Sequence, residues 1–477
     1  MSETTATRIE THSRARDRRL ALALRMALLG LLAVGWLLAA ASLWRTRVPG
    51  DLELPKLEAT RFFTDGEVAR ARSYERFLRA DWLLSTLAVI VALTVLAVRA
   101  RSLARSLRLG PIGAGVVVGM LSLTVVWIVD LPFDAAARWW RDRHGLTRGN
   151  WIAWLVDPWP ELLLQGAAAL LTIVVAMALA RRFPRGWWLA AAPAVVAVSV
   201  GFAALHGILV SFDSHPLRNR ELRRDTRALA ARLGAAETPV EVQEVGNLTK
   251  RANAAAVGLG PTERIVLWDT LLDGRFGEGE VRVVLAHEFG HITRRHLWKG
   301  MAWVALIAFP GLFVLAAVTR RRGGLGDPAV LPLGLLVLVV LELALTPAVN
   351  VVSRRYEAEA DWVALEATGD PASARRLFQR FARTSLSEPS PPTWGYVMFE
   401  THPTPMQRIA LAESFAARRS RRGGVDRDSG SAPADLGATR PRLQVPRRCR
   451  EPRAGCGFPR SSATSTTSPA SRRATPS

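Results

Sequence analysis

The segment His287-Glu288-Phe289-Gly290-His291 carries residue types and spacing that can do chemistry. Two imidazoles four residues apart share one face of an α-helix, so both can bind a single zinc ion. The glutamate beside the first histidine then stands next to a zinc-activated water and can serve as its general base. That is the chemistry of hydrolysis. The preceding stretch permits the helix, because Val281 to Ala286 is an apolar approach without proline.

A catalytic zinc usually keeps three protein ligands and leaves one position open. His296 lies nine residues after His287, which on a continuous helix of 3.6 residues per turn is the opposite side. An extended motif with a third histidine also fails, since Arg294 and Leu297 occupy its positions. His296 therefore reads as interfacial, or as a residue behind the ligands. Glu357 is the better third ligand, within Ser353-Arg354-Arg355-Tyr356-Glu357-Ala358-Glu359-Ala360-Asp361. It shares a helix face with Asp361, and Arg354 lies one turn earlier. A carboxylate completes a two-histidine set, and an aspartate one turn on can orient a ligand imidazole through its second nitrogen. By themselves, these carboxylates read first as an exposed charged face on a membrane-proximal helix. Glu359 points away from that face and is left out of the set.

The elements that must position these residues are largely membrane helices. The chain has 477 residues, 49% of them hydrophobic, and the apolar residues come in long blocks. Seven blocks, near 21–44, 82–98, 111–132, 161–180, 187–210, 298–318 and 329–349, approach or exceed the roughly 20 residues of helix that span a bilayer. The first is read as an uncleaved membrane helix, being long for a signal peptide. Tryptophans such as Trp44, Trp82, Trp139, Trp140, Trp187 and Trp188 cluster near block ends, as an interfacial belt does. His206 lies inside the fifth block, and His144 and His215 read as exposed loop residues.

Six segments follow. Residues 1–20 are a basic N-terminal segment, and 21–210 form a membrane domain of about five spans with a charged loop at 45–81. Residues 211–297 are a mixed metalloprotease segment ending in the zinc helix. Within it Glu221–Leu233 reads as helix, and Val240–Val245 and Arg264–Trp268 as short strands. Residues 298–349 add two spans. Residues 350–417 hold helices over Ser353–Ala367, Ala372–Leu386 and from Thr404 to about Arg419, and 418–477 form a basic tail expected to be disordered. Cys449 and Cys456 both lie in that tail, and two cysteines make no disulfide framework. The net charge of +22 does not indicate nucleic acid. From Arg418 onward, 14 arginines face four acidic residues, and most of the remaining excess borders the apolar blocks.

Taken in order, these motifs resemble the type I CAAX prenyl protease family of membrane zinc metalloendopeptidases, a group of gluzincins. Asn253-Ala254 and Gly258 to Leu272 resemble its strand and turn before the zinc helix. His287–His291 and Ser353–Asp361 match its two metal motifs, and His402-Pro403 with Arg408-Ile409 its closing element. Leu131–Asp134 and Arg143–Leu146 look like a degraded membrane-domain signature. The likeness covers about residues 60–415. It implies a mainly α fold: a seven-helix multi-pass membrane protein with an inserted α/β, gluzincin-like zinc metalloprotease domain. It implies one zinc per chain on His287, His291 and Glu357, with Glu288 as base and Asp361 behind the ligands. Asn253 and Ala254 would pair with extended substrate, and His402 or Arg408 would steady the oxyanion. The closing element equally fits a helix-entry turn with Arg408 binding Asp361 or Glu357.

The expected partners are a polypeptide substrate and the bilayer, with no nucleic acid. The competing reading is a multi-pass transporter or receptor with a non-catalytic metal site. The short loops pull against the resemblance on orientation. Five arginines in the first twenty residues, four in 99–110, three in 181–186 and three in 319–328 fall on one side of seven crossings. By the positive-inside rule that side is cytoplasmic and the zinc helix faces out. The resemblance implies a cytoplasmic active site; the charged 45–81 segment, with eight basic and seven acidic residues, and the basic tail lie on that side.

Overall fold

The computed structural model describes residues 3–428 apart from residue 157. The basic tail from 429 on, with Cys449 and Cys456, lies outside the described residues. The chain divides between Gly423 and Gly424 into two units, and the first holds every element that bears on the site.

The membrane part runs α1 (Glu3–Leu43), α2 (Asp65–Ser106), α3 (Pro111–Arg143), the short α4 (Trp151–Val156), α5 (Trp159–Arg182) and α6 (Trp187–Phe212). Then come β1 (Ser214–Pro216), α7 (Arg220–Leu233), β2 (Val240–Gln243), β3 (Ala254–Val257), β4 (Arg264–Trp268) and α8 (Glu278–Thr293). The chain re-enters the helical layer with α9 (His296–Arg320) and α10 (Leu331–Thr368), and closes with α11 (Pro371–Ser385), α12 (Thr393–Phe399) and α13 (Pro405–Asp428). Among the described residues seven helices are long and apolar enough to cross a membrane, and they coincide with the seven apolar blocks. Their large side chains point outward; Leu31, Leu84, Leu163 and Val198 are all exposed, as lipid-facing residues are.

Half of the charged 45–81 segment is helix, as its helix-compatible sequence permits, because Thr64 starts α2 with a capping box: its hydroxyl accepts from the Glu67 N–H, and Glu67 accepts from the Thr64 N–H. Two boundaries differ from the sequence reading. Ser353–Ala367 is the far end of α10, which runs unbroken from the last apolar block. The final helix continues past Arg419 to Asp428. Two histidines are less exposed than expected. His144 is half-buried against Tyr74 and Trp140, and His215 is half-buried with Nε2 2.9 Å from Glu244.

The sheet has the order β1-β2-β4-β3. β2 and β4 are parallel, with Val240 opposite Ile265, while β1 and β3 pair antiparallel on the outside. Ile265, Val266 and Leu267 are all buried, which explains why β4 reads as a continuous apolar run rather than an alternating one. Asn219 caps α7 by accepting from the Glu221 and Leu222 N–H groups, and Gly234 closes it in the left-handed conformation. The main core joins β4, α7, α8, α10, α11 and α13 through residues such as Leu229, Leu267, Phe289, Leu365, Leu377 and Ile409.

The membrane layer reaches this core at Gly207 of α6. A Cβ there would lie 2.6 Å from both Gly258 Cα and the Thr262 carbonyl oxygen, whereas one at Gly201 on the same helix meets nothing within 4 Å. Gly207→Ala should therefore lower the thermal midpoint in detergent, the overpacking costing about 1–3 kcal/mol. Gly201→Ala should leave it unchanged or raise it by the helix propensity, up to about 1 kcal/mol. Equal midpoints for the two variants would contradict this contact.

Candidate metal centre

Helix α8 is apolar almost all round, and from Val281 to Gly290 every residue except Arg282 is buried. A helix of that kind must sit inside a core. It packs against the far half of α10, and the approach is close because Gly290 has no side chain. A Cβ at Gly290 would stand 3.2 Å from Ala360 Cα. The contact falls between Glu357 and Asp361 on one helix and His287 and His291 on the other, so it brings all four together.

His287, His291 and Glu357 each offer a ligand atom, and these atoms lie within 4.8 Å of one another. His287 Nε2 is 3.1 Å from His291 Nε2. Glu357 Oε2 is 3.2 Å from His287 Nε2, and Oε1 is 3.5 Å from His291 Nε2. The Nδ1 of His287 stands 2.8 Å from Asp361 Oδ1. An ionised carboxylate only accepts, so this imidazole carries a hydrogen on Nδ1, which leaves Nε2 as the nitrogen it can offer a metal ion.

The cluster fits a cation. Glu357 Oε2 is buried and makes no hydrogen bond among the described residues. Two acceptor nitrogens and a carboxylate converging on one point repel each other unless a positive charge sits between them. Nitrogens at about 2 Å from one tetrahedral ion stand about 3.3 Å apart, close to the spacing seen here. The electrostatics agree. Burial disfavours charge on His287, yet the nearby Asp361 and Glu357 outweigh it and raise its pKa to about 10. The same pull is available to a metal ion.

Around this core the other expected residues take distinct places. Glu288 is buried beside the cluster, with no hydrogen bond or ion pair among the described residues, and its charge acts on Arg408. Arg408 grips Asp361 with Nε 2.8 Å from Oδ2 and Nη2 on Oδ1, and lies over the Phe378 ring. Of the two roles open to Arg408, the geometry shows the carboxylate partner. His402 sits at the rim, its side chain 54% exposed and Nε2 3.3 Å from Glu357 Oε2. Ala254 opens β3, whose outer edge pairs with no strand among the described residues, and Asn253 before it is exposed.

Two residues set aside by the sequence reading return. Glu359 does point away from the ligand face, but it is fully buried, with Arg294 Nε at 2.7 Å and His296 Nε2 at 3.0 Å. His296 is not on the far side of a continuous helix. The helix ends at Thr293, and Arg295 takes a left-handed conformation (φ 53°) that turns the chain back. His296 Nδ1 thereby comes within 3.1 Å of His291 Nδ1. That is the place behind the ligands that the sequence left open, but a basic Arg294-Arg295 pair gives no turn signal of the usual Gly or Asn kind, so spacing alone did not show the contact with His291.

A two-histidine, one-carboxylate cluster on paired helices, beside a free carboxylate and an open strand edge, joined to seven membrane-spanning helices, defines a membrane metallopeptidase. The comparisons with known proteins agree. Residues 216–416 match the model of Peptidase family M48. The metalloprotease YhfN of Bacillus subtilis, itself uncharacterized, is 30% identical over 307 residues, covering 62% of this chain and 72% of that one. CAAX prenyl protease 1 of Saccharomyces cerevisiae is 22% identical, covering 63% of this chain and 72% of its own. The crystal structure of S. mikatae Ste24p superposes with a TM-score of 0.65 at 20% identity, over 80% of this chain and 97% of that one, a likeness of fold. The chain belongs to peptidase family M48. It is a multi-pass membrane enzyme of the zinc-metalloendopeptidase class, similar to the type I CAAX prenyl proteases, and acts on polypeptides.

The grip of Arg408 on Asp361 should be stabilising. Removing one partner of a buried pair strands the other charge and costs about 3–5 kcal/mol. Arg408→Leu should therefore unfold at a markedly lower temperature in detergent than wild type. An unchanged midpoint would show that Asp361 does not need this partner.

Proposed function

We propose that the bound ion is zinc, one per chain, held by His287, His291 and Glu357, and that the enzyme hydrolyses peptide bonds with Glu288 as general base. The observation that carries this reading is the convergence of three acceptor groups on one point, with Glu357 Oε2 buried and making no hydrogen bond among the described residues. Two nitrogens and one carboxylate oxygen are the donor set zinc takes in open catalytic sites. When bound, zinc supplies Lewis acidity toward a carbonyl oxygen and a water.

The remaining steps fall to side chains. Glu288 takes a proton from the attacking water as its oxygen bonds to the scissile carbonyl carbon. It passes that proton to the leaving nitrogen as the C–N bond breaks. A carboxylate without a competing partner is available for both transfers. Asp361 holds His287 in the tautomer with Nε2 bare, and Arg408 holds Asp361. His402, half-exposed at the rim, is placed to donate to the oxyanion as the carbonyl becomes tetrahedral. The free edge of β3 from Ala254, with Asn253 beside it, offers backbone groups to an extended substrate.

The substrate is a membrane-associated or misfolded polypeptide. Glu357 lies eight residues beyond Val349, where the last apolar block ends, a rise of about 12 Å along the helix. Chain close to the bilayer is thus what reaches the site. Four relatives are named CAAX prenyl protease 1 or its homolog, so prenylated polypeptides belong among the first substrates to try.

Purified protein should hold about one zinc per chain and cleave a peptide. A chelator should abolish cleavage and added zinc should restore it. Glu288→Gln should keep the zinc while cleavage falls by at least about 100-fold. A zinc-free wild type, or a Gln variant that cleaves normally, would defeat the reading.

The active site faces the cytoplasm in this proposal. The family resemblance supports it, as do the eight basic residues of the 45–81 segment and the basic tail on that side. A reporter fused at residue 430 should be active as a cytoplasmic fusion; activity only as an exported fusion reverses the orientation.

A further inference from the structure

His296 and Glu359 lie behind the site rather than in it, yet together they form a hydrogen-bonded chain onto His291. Glu359 Oε2 is 3.0 Å from His296 Nε2, and His296 Nδ1 is 3.1 Å from His291 Nδ1. His291 Nε2 is the nitrogen that faces His287 and Glu357. The chain therefore runs from a buried carboxylate, through one imidazole, to the far side of another.

The direction of its hydrogens follows from what each group can do. A carboxylate only accepts, so His296 Nε2 carries the hydrogen it gives to Glu359. Glu359 also receives Arg294 Nε at 2.7 Å, Lys299 Nζ at 3.4 Å and the Arg47 backbone N–H at 3.0 Å. Two cations already balance its charge, which leaves no reason for a third on a buried imidazole. His296 is then neutral, with a bare Nδ1 that can only accept. The matching donor is the Nδ1–H of His291, so the lone pair of His291 is left on Nε2. A hydrogen on Nε2 instead would abolish that nitrogen as a ligand.

We propose that Glu359 and His296 form a positioning relay that fixes the tautomer and ring angle of His291 for metal binding. They do for His291 what Asp361 does directly for His287. The relay is itself held in place. Tyr356 stacks on the His296 ring at 4.8 Å with an interplanar angle of 9°. The Tyr356 hydroxyl accepts from Trp303 Nε1 at 2.9 Å and donates to the Leu43 carbonyl at 2.8 Å. Both His296 and Glu359 thus sit where α1, α8, α9 and α10 meet. The inference rests on the metal site proposed above.

The test compares His296→Asn with His296→Leu in the full-length protein. The two side chains have the same branched arrangement of four heavy atoms, and only Asn offers an oxygen where Nδ1 stood. Zinc affinity is read by competition with a chromophoric chelator, and the ligand field from the cobalt(II) spectrum of the substituted protein. His296→Leu should lose about 10- to 100-fold in zinc affinity, the usual cost of removing a partner behind a metal-bound histidine, and its cobalt spectrum should shift. His296→Asn should recover most of both. His296→Phe keeps the ring stack on Tyr356 without an acceptor and should behave like the Leu variant, so a misfolded Leu protein does not remove the comparison. Wild type that binds no zinc overturns the metal site and the relay with it. Wild type that binds one zinc while the Leu and Phe variants match its affinity and spectrum overturns the relay alone. An Asn variant as weak as the others also overturns it, because the ring and not its acceptor would then be what matters.

Discussion

The contact between Gly290 and Ala360 is what the site depends on, because it sets how closely α8 and α10 approach. The two helices have to share one point in space from opposite sides, with imidazoles on one and carboxylates on the other. A Cβ at Gly290 would press on the α10 backbone, and the ligand atoms would part by the same few tenths of an ångström. Metal geometry tolerates little of that. The glycine lies between the two histidines of the motif, so the closest approach coincides with the ligands rather than falling a turn away.

That approach buries charge, and burial of charge dictates the surrounding shell. Asp361 and Glu359 are both inaccessible to solvent and lie on different faces of α10. Each is balanced from a different direction: Asp361 by Arg408 of α13, and Glu359 by Arg294 and Lys299 flanking the turn into α9. A buried charge left alone would be prohibitively costly, whereas a paired and hydrogen-bonded one is tolerated. The closing helices are therefore electrostatic parts of the centre. α13 supplies the guanidinium, and α12 is fixed to α10 where Asn350 Nδ2 donates to the Val397 and Met398 carbonyls and Arg354 to the Tyr396 carbonyl.

Much of this was legible in the sequence. The seven spans follow from block length, and the candidate ligand cluster from helical spacing, since residues four apart share a face wherever the helix lies. The strand Arg264–Trp268 was readable because a short β-branched and apolar run beside turn residues has few alternatives. What escaped depended on contacts between distant segments or on one backbone angle. The left-handed Arg295 turns the chain back so that His296, which a continuous helix would carry away from His287, meets His291 five residues before it. Glu359 was judged against one helix face, but α10 is enclosed, so its other face also meets α9 and the segment after α1. Arg408 was undecided because its partner lies 47 residues away, and no periodicity reports such a pairing.

The position of the site along α10 explains why a hydrolytic centre and a membrane domain share one chain. The helix is continuous from Leu331 to Thr368, so its apolar half and its ligand-bearing half move as one rod. Glu357 is carried by the element anchored in the lipid, and its depth relative to the bilayer is set by helix geometry instead of by a flexible tether. The Arg47 N–H on Glu359 and the Leu43 carbonyl on Tyr356 bring the end of the first span to the same level. A soluble protease can meet its substrate in any orientation. Here the helix that carries Glu357 is continuous with the last apolar span, so Glu357 keeps a fixed rise along the helix from that span.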